Sequence, residues 1–149
     1  MADDKKQSFS AQVDTMIVNT EKRLELVMKQ SLLNAINEMQ KPVAKGGKMR
    51  VDTGFLRASG QASLTGMPSG PSRKPDNAEK GQFDDGSRPN TVTAATIGQM
   101  KAGVTLFYGW SASYAKYRET YDGFMESVLQ NWQQIVDDVV NKAKKRFGG

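Results

Sequence analysis

The chain has no cysteine and no histidine among its 149 residues. Without cysteine there is no disulfide framework and no thiolate chemistry. Without histidine as well, Ser-His-Asp and Cys-His nucleophilic sites are excluded, and so are the usual transition-metal ligands. Carboxylate-only acid–base chemistry and oxygen-ligated Mg or Ca sites stay open in principle, but the spacings do not ask for them. Asp137 and Asp138 are neighbours on a helical stretch and point in different directions. Asp76, Glu79, Asp84 and Asp85 lack the alternating ligands and closing glutamate of a calcium loop, and are read as solvating charges. The expectation is a protein that is not an enzyme and uses no cofactor or metal.

Long apolar runs are missing too, so no segment is expected to span a bilayer. Met1-Ala2-Asp3-Asp4-Lys5-Lys6 mixes both charges and leads into no apolar core, which is not the pattern of a secretory signal. A protein made and used in a cytosol is expected. Only 38% of residues are apolar, little for a compact monomer. Part of the chain is therefore expected to be uncovered, mobile or buried only against a partner.

Charge is present in moderate excess, +5 overall, and its placement matters more than its sum. Residues 66–90 carry four basic and four acidic side chains and are neutral. The last stretch, 122–149, is also neutral, but its signs are separated: Asp122 and Glu126 come first, and Lys142, Lys144, Lys145 and Arg146 come last. That order suits a helix macrodipole, although a patch that tracks phosphates has the same composition.

The length suits a single domain. Residues 1–9 are read as a flexible N-terminus, and 10–40 as one long helix with no Gly or Pro before its end. Val13, Ile17, Thr20, Leu24, Val27, Ser31 and Ala35 recur at spacings of three and four, so they share a face. Ser10 is the expected N-cap, and Pro42 with Gly46-Gly47 the stop. A helix of about 30 residues is about 45 Å long, so its polar first turns are expected to project beyond the core as a handle for a neighbouring subunit.

Residues 51–65 read as a turn and a strand, with Asp52 placed to accept backbone N–H bonds and small residues alternating from Ala58 to Leu64. Residues 66–90 hold four of the five prolines and little apolar surface. They are expected to form a mobile loop, or an arm that orders on a partner. The β-branched residues of 91–97 and the alternation of 103–108 predict a hairpin over 91–109. Residues 123–147 read as a closing helix with the stripe Phe124, Val128, Trp132, Ile135, Val139, Ala143 and Phe147, stopped by Gly148-Gly149. The resulting fold class is α+β: a long N-terminal helix and a C-terminal helix packed on a small antiparallel sheet, with a long proline- and glycine-rich loop.

Two patterns carry a resemblance. One is Val51-Asp52-Thr53-Gly54-Phe55-Leu56-Arg57-Ala58-Ser59, directly after the first helix. The other is Tyr114-Ala115-Lys116-Tyr117-Arg118-Glu119, after the strand 104–109 and before Gly123-Phe124-Met125. In this order, with a variable loop between them, they resemble the tail-component (neck or tail-completion) family of tailed bacteriophages. That family typically shows a D-T-G-x-L-R-x-S stretch and later a Y-A-x-x-x-E stretch. The chain departs from the pattern after Glu119, where Thr120-Tyr121-Asp122 runs straight into Gly123 without the family's further loop.

The resemblance implies a non-catalytic α+β subunit that forms a homo-oligomeric ring at the head–tail junction of the virion, assembled in the host cytoplasm. Its implied neighbours are head-completion and tail proteins, with genome DNA passing non-specifically through the lumen, no membrane and no small-molecule substrate. A tail terminator is an alternative within the class. A small basic nucleic-acid-binding protein is the alternative outside it.

The candidate interface residues are Asp52, Arg57, Tyr108, Trp110, Tyr114, Tyr117, Arg118 and Glu119. Arg57 is open to two readings: a local ion pair with Asp52 or Glu119, or a fork-like contact to a neighbouring subunit's carboxylate. The aromatic run from Tyr108 to Tyr121, with Lys116 and Arg118 beside it, is open to three: core packing, a subunit interface, or stacking of single-stranded bases.

Overall fold

A computed structural model describes residues 8–67, 69–84 and 91–147. The expected flexible residues before position 8, the part of the long loop at 85–90 and the Gly148-Gly149 stop lie outside the described residues. The architecture is α+β, with helices backing a two-stranded antiparallel sheet.

Helix α1, Phe9–Met39, is one uninterrupted helix of 31 residues. Its cap is Ser8 rather than Ser10: the Ser8 hydroxyl accepts the Ala11 N–H at 3.2 Å, so the helix starts a little earlier than expected. Upstream of Ser31 no described side chain of α1 is buried. From there Ser31, Ala35, Ile36 and Met39 are buried at helical spacing. The C-terminal part of α1 is therefore its anchor, buried from Ser31 and flanked by the last helix of the chain from Arg23, and its first turns project.

After a single 3₁₀ turn at Val43–Lys45, the stretch expected as turn and strand contains a further element. Helix α2, Phe55–Ala58, precedes strand β1, Gly60–Ser63. Gly54 sits at a φ of 84° ahead of α2, a conformation that costs glycine nothing. The Thr53 hydroxyl, not the Asp52 carboxylate, accepts the Phe55 N–H there. Strand β1 pairs with β2, Phe107–Trp110, in the register Gly60 to Trp110 and Ser63 to Phe107.

The expected first strand of the 91–109 hairpin is instead helix α3, Thr91–Gly98. Thr93, Ile97 and Met100 are all buried, and their spacing of four and three puts them on one helical face against α1 and β1. Tertiary burial overrides the β preference of Thr, Val and Ile. The Thr96 hydroxyl bonds back to the Val92 carbonyl at 2.8 Å, which satisfies it within the helix.

Helix α4, Ala115–Asp122, was not anticipated, and the expected closing helix is broken in two: α5, Glu126–Gln130, and α6, Trp132–Phe147. Within that stripe Phe124, Val128 and Val139 are buried. The start of this segment reaches β2 through Trp110, while α6 runs along α1.

Three small apolar clusters make the core. Met49, Leu56, Ala112 and Phe124 form one, Ala35, Met39 and Val128 another, and Ile36, Ile97 and Met100 the third. Trp110 belongs to the edges of the first two and lies edge-on to Phe124, with ring centroids 4.9 Å apart. Phe124 is 1% exposed. Replacing Phe124 by Ala is expected to lower stability by about 3–5 kcal/mol in chemical denaturation. A loss below about 1 kcal/mol would mean that this cluster is not the centre of the core.

Candidate functional site

The first resemblance pattern and strand β2 meet at the C-terminal end of α1. Gln40, 7% exposed at the helix cap, is the meeting point. Its Nε2 donates to the Arg57 carbonyl at 2.9 Å, and its Oε1 accepts the Trp110 indole N–H at 2.8 Å. Its backbone carbonyl accepts the Arg57 Nε–H at 2.9 Å. Gly60 leaves the room this requires. A Cβ there would stand 2.6 Å from the Gln40 amide nitrogen and 2.4 Å from the Tyr108 hydroxyl.

Arg57 does not pair with Asp52 or Glu119. Its guanidinium donates to Asp84 at 2.9 Å, and the Arg57 side chain is only 12% exposed. Asp84 is thus one half of a partly buried ion pair rather than a solvating charge, and it fixes the far end of the long loop. The described part of that loop, 69–84, is pinned rather than free. The Gly81 and Phe83 amides donate to the Asp52 and Thr53 carbonyls, each at 2.7 Å. The Phe83 ring packs edge-on to Phe55. Ser72 pairs with the stretch around Ala112, its amide donating to the Ser111 carbonyl and its carbonyl accepting the Ser113 N–H.

Glu119 has a different task from the ion pair considered for it. Both of its carboxylate oxygens accept backbone N–H groups, Oε2 from Met125 and Oε1 from Glu126, at 2.9 Å each. These are orphan donors around the start of α5, so the side chain caps the corner between α4 and α5. Gly123, at a φ of 62°, makes the turn between them. Arg118 grips the Asp122 carboxylate at 2.7 and 3.0 Å, and Arg50 approaches the same group at 3.4 Å. The Asp122 side chain is 4% exposed, so its charge is held by two guanidiniums rather than by water.

The aromatic run is divided between inside and outside. Tyr108 and Trp110 are half-buried and meet edge-on at 5.2 Å. Tyr114 stands beside Phe55, with the Lys74 ammonium 5.9 Å from its ring centre. Tyr117 and Tyr121 are exposed, with ring centroids 4.9 Å apart on α4. No single face gathers these rings, so the basic–aromatic run is not one stacking platform.

Two concave surfaces result. A cleft of about 280 Å³ lies between the Asp52–Arg57 corner and Tyr114, edged by Arg50, Lys74 and Arg118. Its cations are largely engaged by Asp84 and Asp122, so it offers orientation rather than free charge. A larger groove of about 530 Å³ runs between α1 and α6, with Leu26, Val27, Val140 and Ala143 in its wall. Among the described residues no group of three or more Asp and Glu side chains is placed to hold a metal ion.

Sequence reasoning missed Gln40 and misassigned Asp84. Gln40 carries only one local signal, a polar residue directly behind the apolar face of α1. Its partners lie 17 and 70 residues away, and nothing in the sequence fixes those distances.

No family model matches the chain, and neither the curated proteins nor the solved structures contain a match.

Replacing Gln40 by Ala removes two side-chain bonds and strands the Trp110 N–H and the Arg57 carbonyl. An expected loss of about 2–4 kcal/mol, with a changed tryptophan emission, is checked by fluorescence-monitored denaturation. Tyr108 supplies a second check. Its hydroxyl is buried without a hydrogen-bond partner, and burial pushes its pKa well above the ordinary 10.0, opposed in part by Arg57. Burial raises Tyr114 too. A folded tyrosine with a raised pKa keeps its proton after the unfolded chain has lost its own. Stability is therefore full below pH about 10 and falls as pH rises past it. Tyr108→Phe is expected to leave stability at neutral pH equal or higher by up to about 1 kcal/mol and to flatten the alkaline decline. An unchanged decline in pH-dependent melting would contradict this.

Proposed function

We propose that this chain is a structural subunit that assembles with copies of itself into a ring, of the kind found at the neck or tail-completion region of a tailed bacteriophage. The observation that carries the reading is the free length of α1. Phe9 and Met16 are each more than half exposed there, as are Leu24 and Leu26 where α6 runs alongside. Covering one such side chain contributes about 1.5–3 kcal/mol, so contact between copies would recover what folding alone leaves in water.

The residues behind the resemblance support the reading from the inside. Arg57 and Glu119 hold corners together, and their polar atoms are engaged by neighbouring segments. Residues of this kind shape a subunit. In this reading the ring sits at the head–tail junction, is put together in the host cytoplasm, and has head-completion and tail proteins as neighbours with DNA in its lumen. A tail terminator would use the same assembly. The lining of the α1–α6 groove favours a second reading, a nucleic-acid-binding module, because Arg23, Lys142, Lys144 and Arg146 surround it without an acid.

Sedimentation velocity across a concentration series, with negative-stain imaging of the heaviest species, tests the proposal. A discrete ring several times the 16.4 kDa chain mass is expected. A monomer at every concentration, with DNA binding near micromolar at low salt that collapses as salt rises, would replace it by the second reading.

A further inference from the structure

The α1–α6 groove and the free end of α1 complement one another, and the geometry keeps them apart within one chain. We infer that the first three turns of α1 from one copy dock into the α1–α6 groove of the next, so that the assembly contact is head-to-tail. This rests on the self-assembly proposed above and adds which surfaces meet.

Three observations carry it. First, Phe9, Val13, Met16 and Thr20 recur at spacings of four and three and so lie along one side of α1. Phe9 is 82% and Met16 69% exposed. Second, the groove has an apolar wall open to solvent and, at about 530 Å³, falls within the about 300–1,000 Å³ typical of occupied clefts. Leu26, one of its lining residues, is 58% exposed.

Third, the docking side of the first turns brings no cation to the groove. The groove's charged lining residues are all cationic, whereas residues 9–20 contain a single charge, the acid Asp14. Two grooves facing each other would set like charge against like, which disfavours a symmetric groove-to-groove contact.

The free end cannot fill its own groove. The free end and one wall of the groove are parts of one continuous helix, and Phe9 stands about 26 Å along the axis from Leu26 at 1.5 Å per residue. A segment that must leave its own chain to be covered, entering a different surface on the next, defines a heterologous contact. Such a contact repeats, and it closes into a ring when the rotation between copies is right.

The absence of native cysteine makes cross-linking a direct test on the full chain. Met16→Cys and Ala143→Cys are made as separate variants and as one double variant, and all are oxidised under native conditions. Disulfide-linked chains are expected for the mixture of the two single variants, and a ladder of linked species for the double variant. Linking of Met16→Cys only to itself would mean that free ends pair with free ends, and would overturn the inference. Met16→Lys, which brings a like charge to the groove, is expected to weaken self-association about tenfold or more while the circular dichroism spectrum stays unchanged. A wild-type chain that assembles, with neither cross-linking between positions 16 and 143 nor an effect of Met16→Lys, sinks this contact alone. A wild-type chain that never assembles sinks the ring reading with it.

Discussion

The fold depends on one side-chain amide. Gln40 stands where α1 ends, and its two polar atoms reach the Arg57 carbonyl and the Trp110 indole. Three segments far apart in sequence are tied at this point: the long helix, the corner before β1, and β2. In a site this dry each hydrogen bond is stronger than in water, and each one broken leaves an unsatisfied partner. Gly60 belongs to the same constraint, since any side chain there would occupy the space of the amide and the Tyr108 hydroxyl. The sheet has only two short strands, too few to stand alone, so its position is inherited from this knot and from the helices around it.

Much of the architecture was legible in the residues. The spacing of apolar positions gave α1 and the stripe of the closing segment, and the small residues around Gly60 gave β1. Helix α3 was misread because Thr, Val and Ile were weighed by their β preference. The spacing of Thr93, Ile97 and Met100 held the helical signal all along. The break at Asn131 between α5 and α6 has no proline or glycine to announce it. At the candidate site Arg57 and Trp110 were singled out, but Gln40, which joins them, and the partner Asp84 were not. Arg57 finds Asp84, 27 positions away, because the long loop folds back over α2, and no local pattern encodes that return.

The structure separates two kinds of residue that sequence motifs mix. Arg57 and Glu119 face inward or along the backbone and fix shape. The uncovered apolar side chains, Phe9, Met16, Leu24 and Leu26, sit on a helix outside both motifs. A resemblance carried by the first group speaks to how the subunit is built, and the second group speaks to what it meets. Glu119 illustrates the difference: a carboxylate that looks available for a partner is occupied by two amides of its own chain.

The uninterrupted length of α1 has a mechanical consequence. From Arg23 onward the helix is flanked by α6 or packed on the core, so the free part, residues 9–22, is a rod of about 21 Å at 1.5 Å per residue. Rotating the anchor by about 5° sweeps the tip through about 2 Å, roughly a third of one helical pitch. Small adjustments of side chains around Ser31 and Ala35 are thereby magnified at a distance.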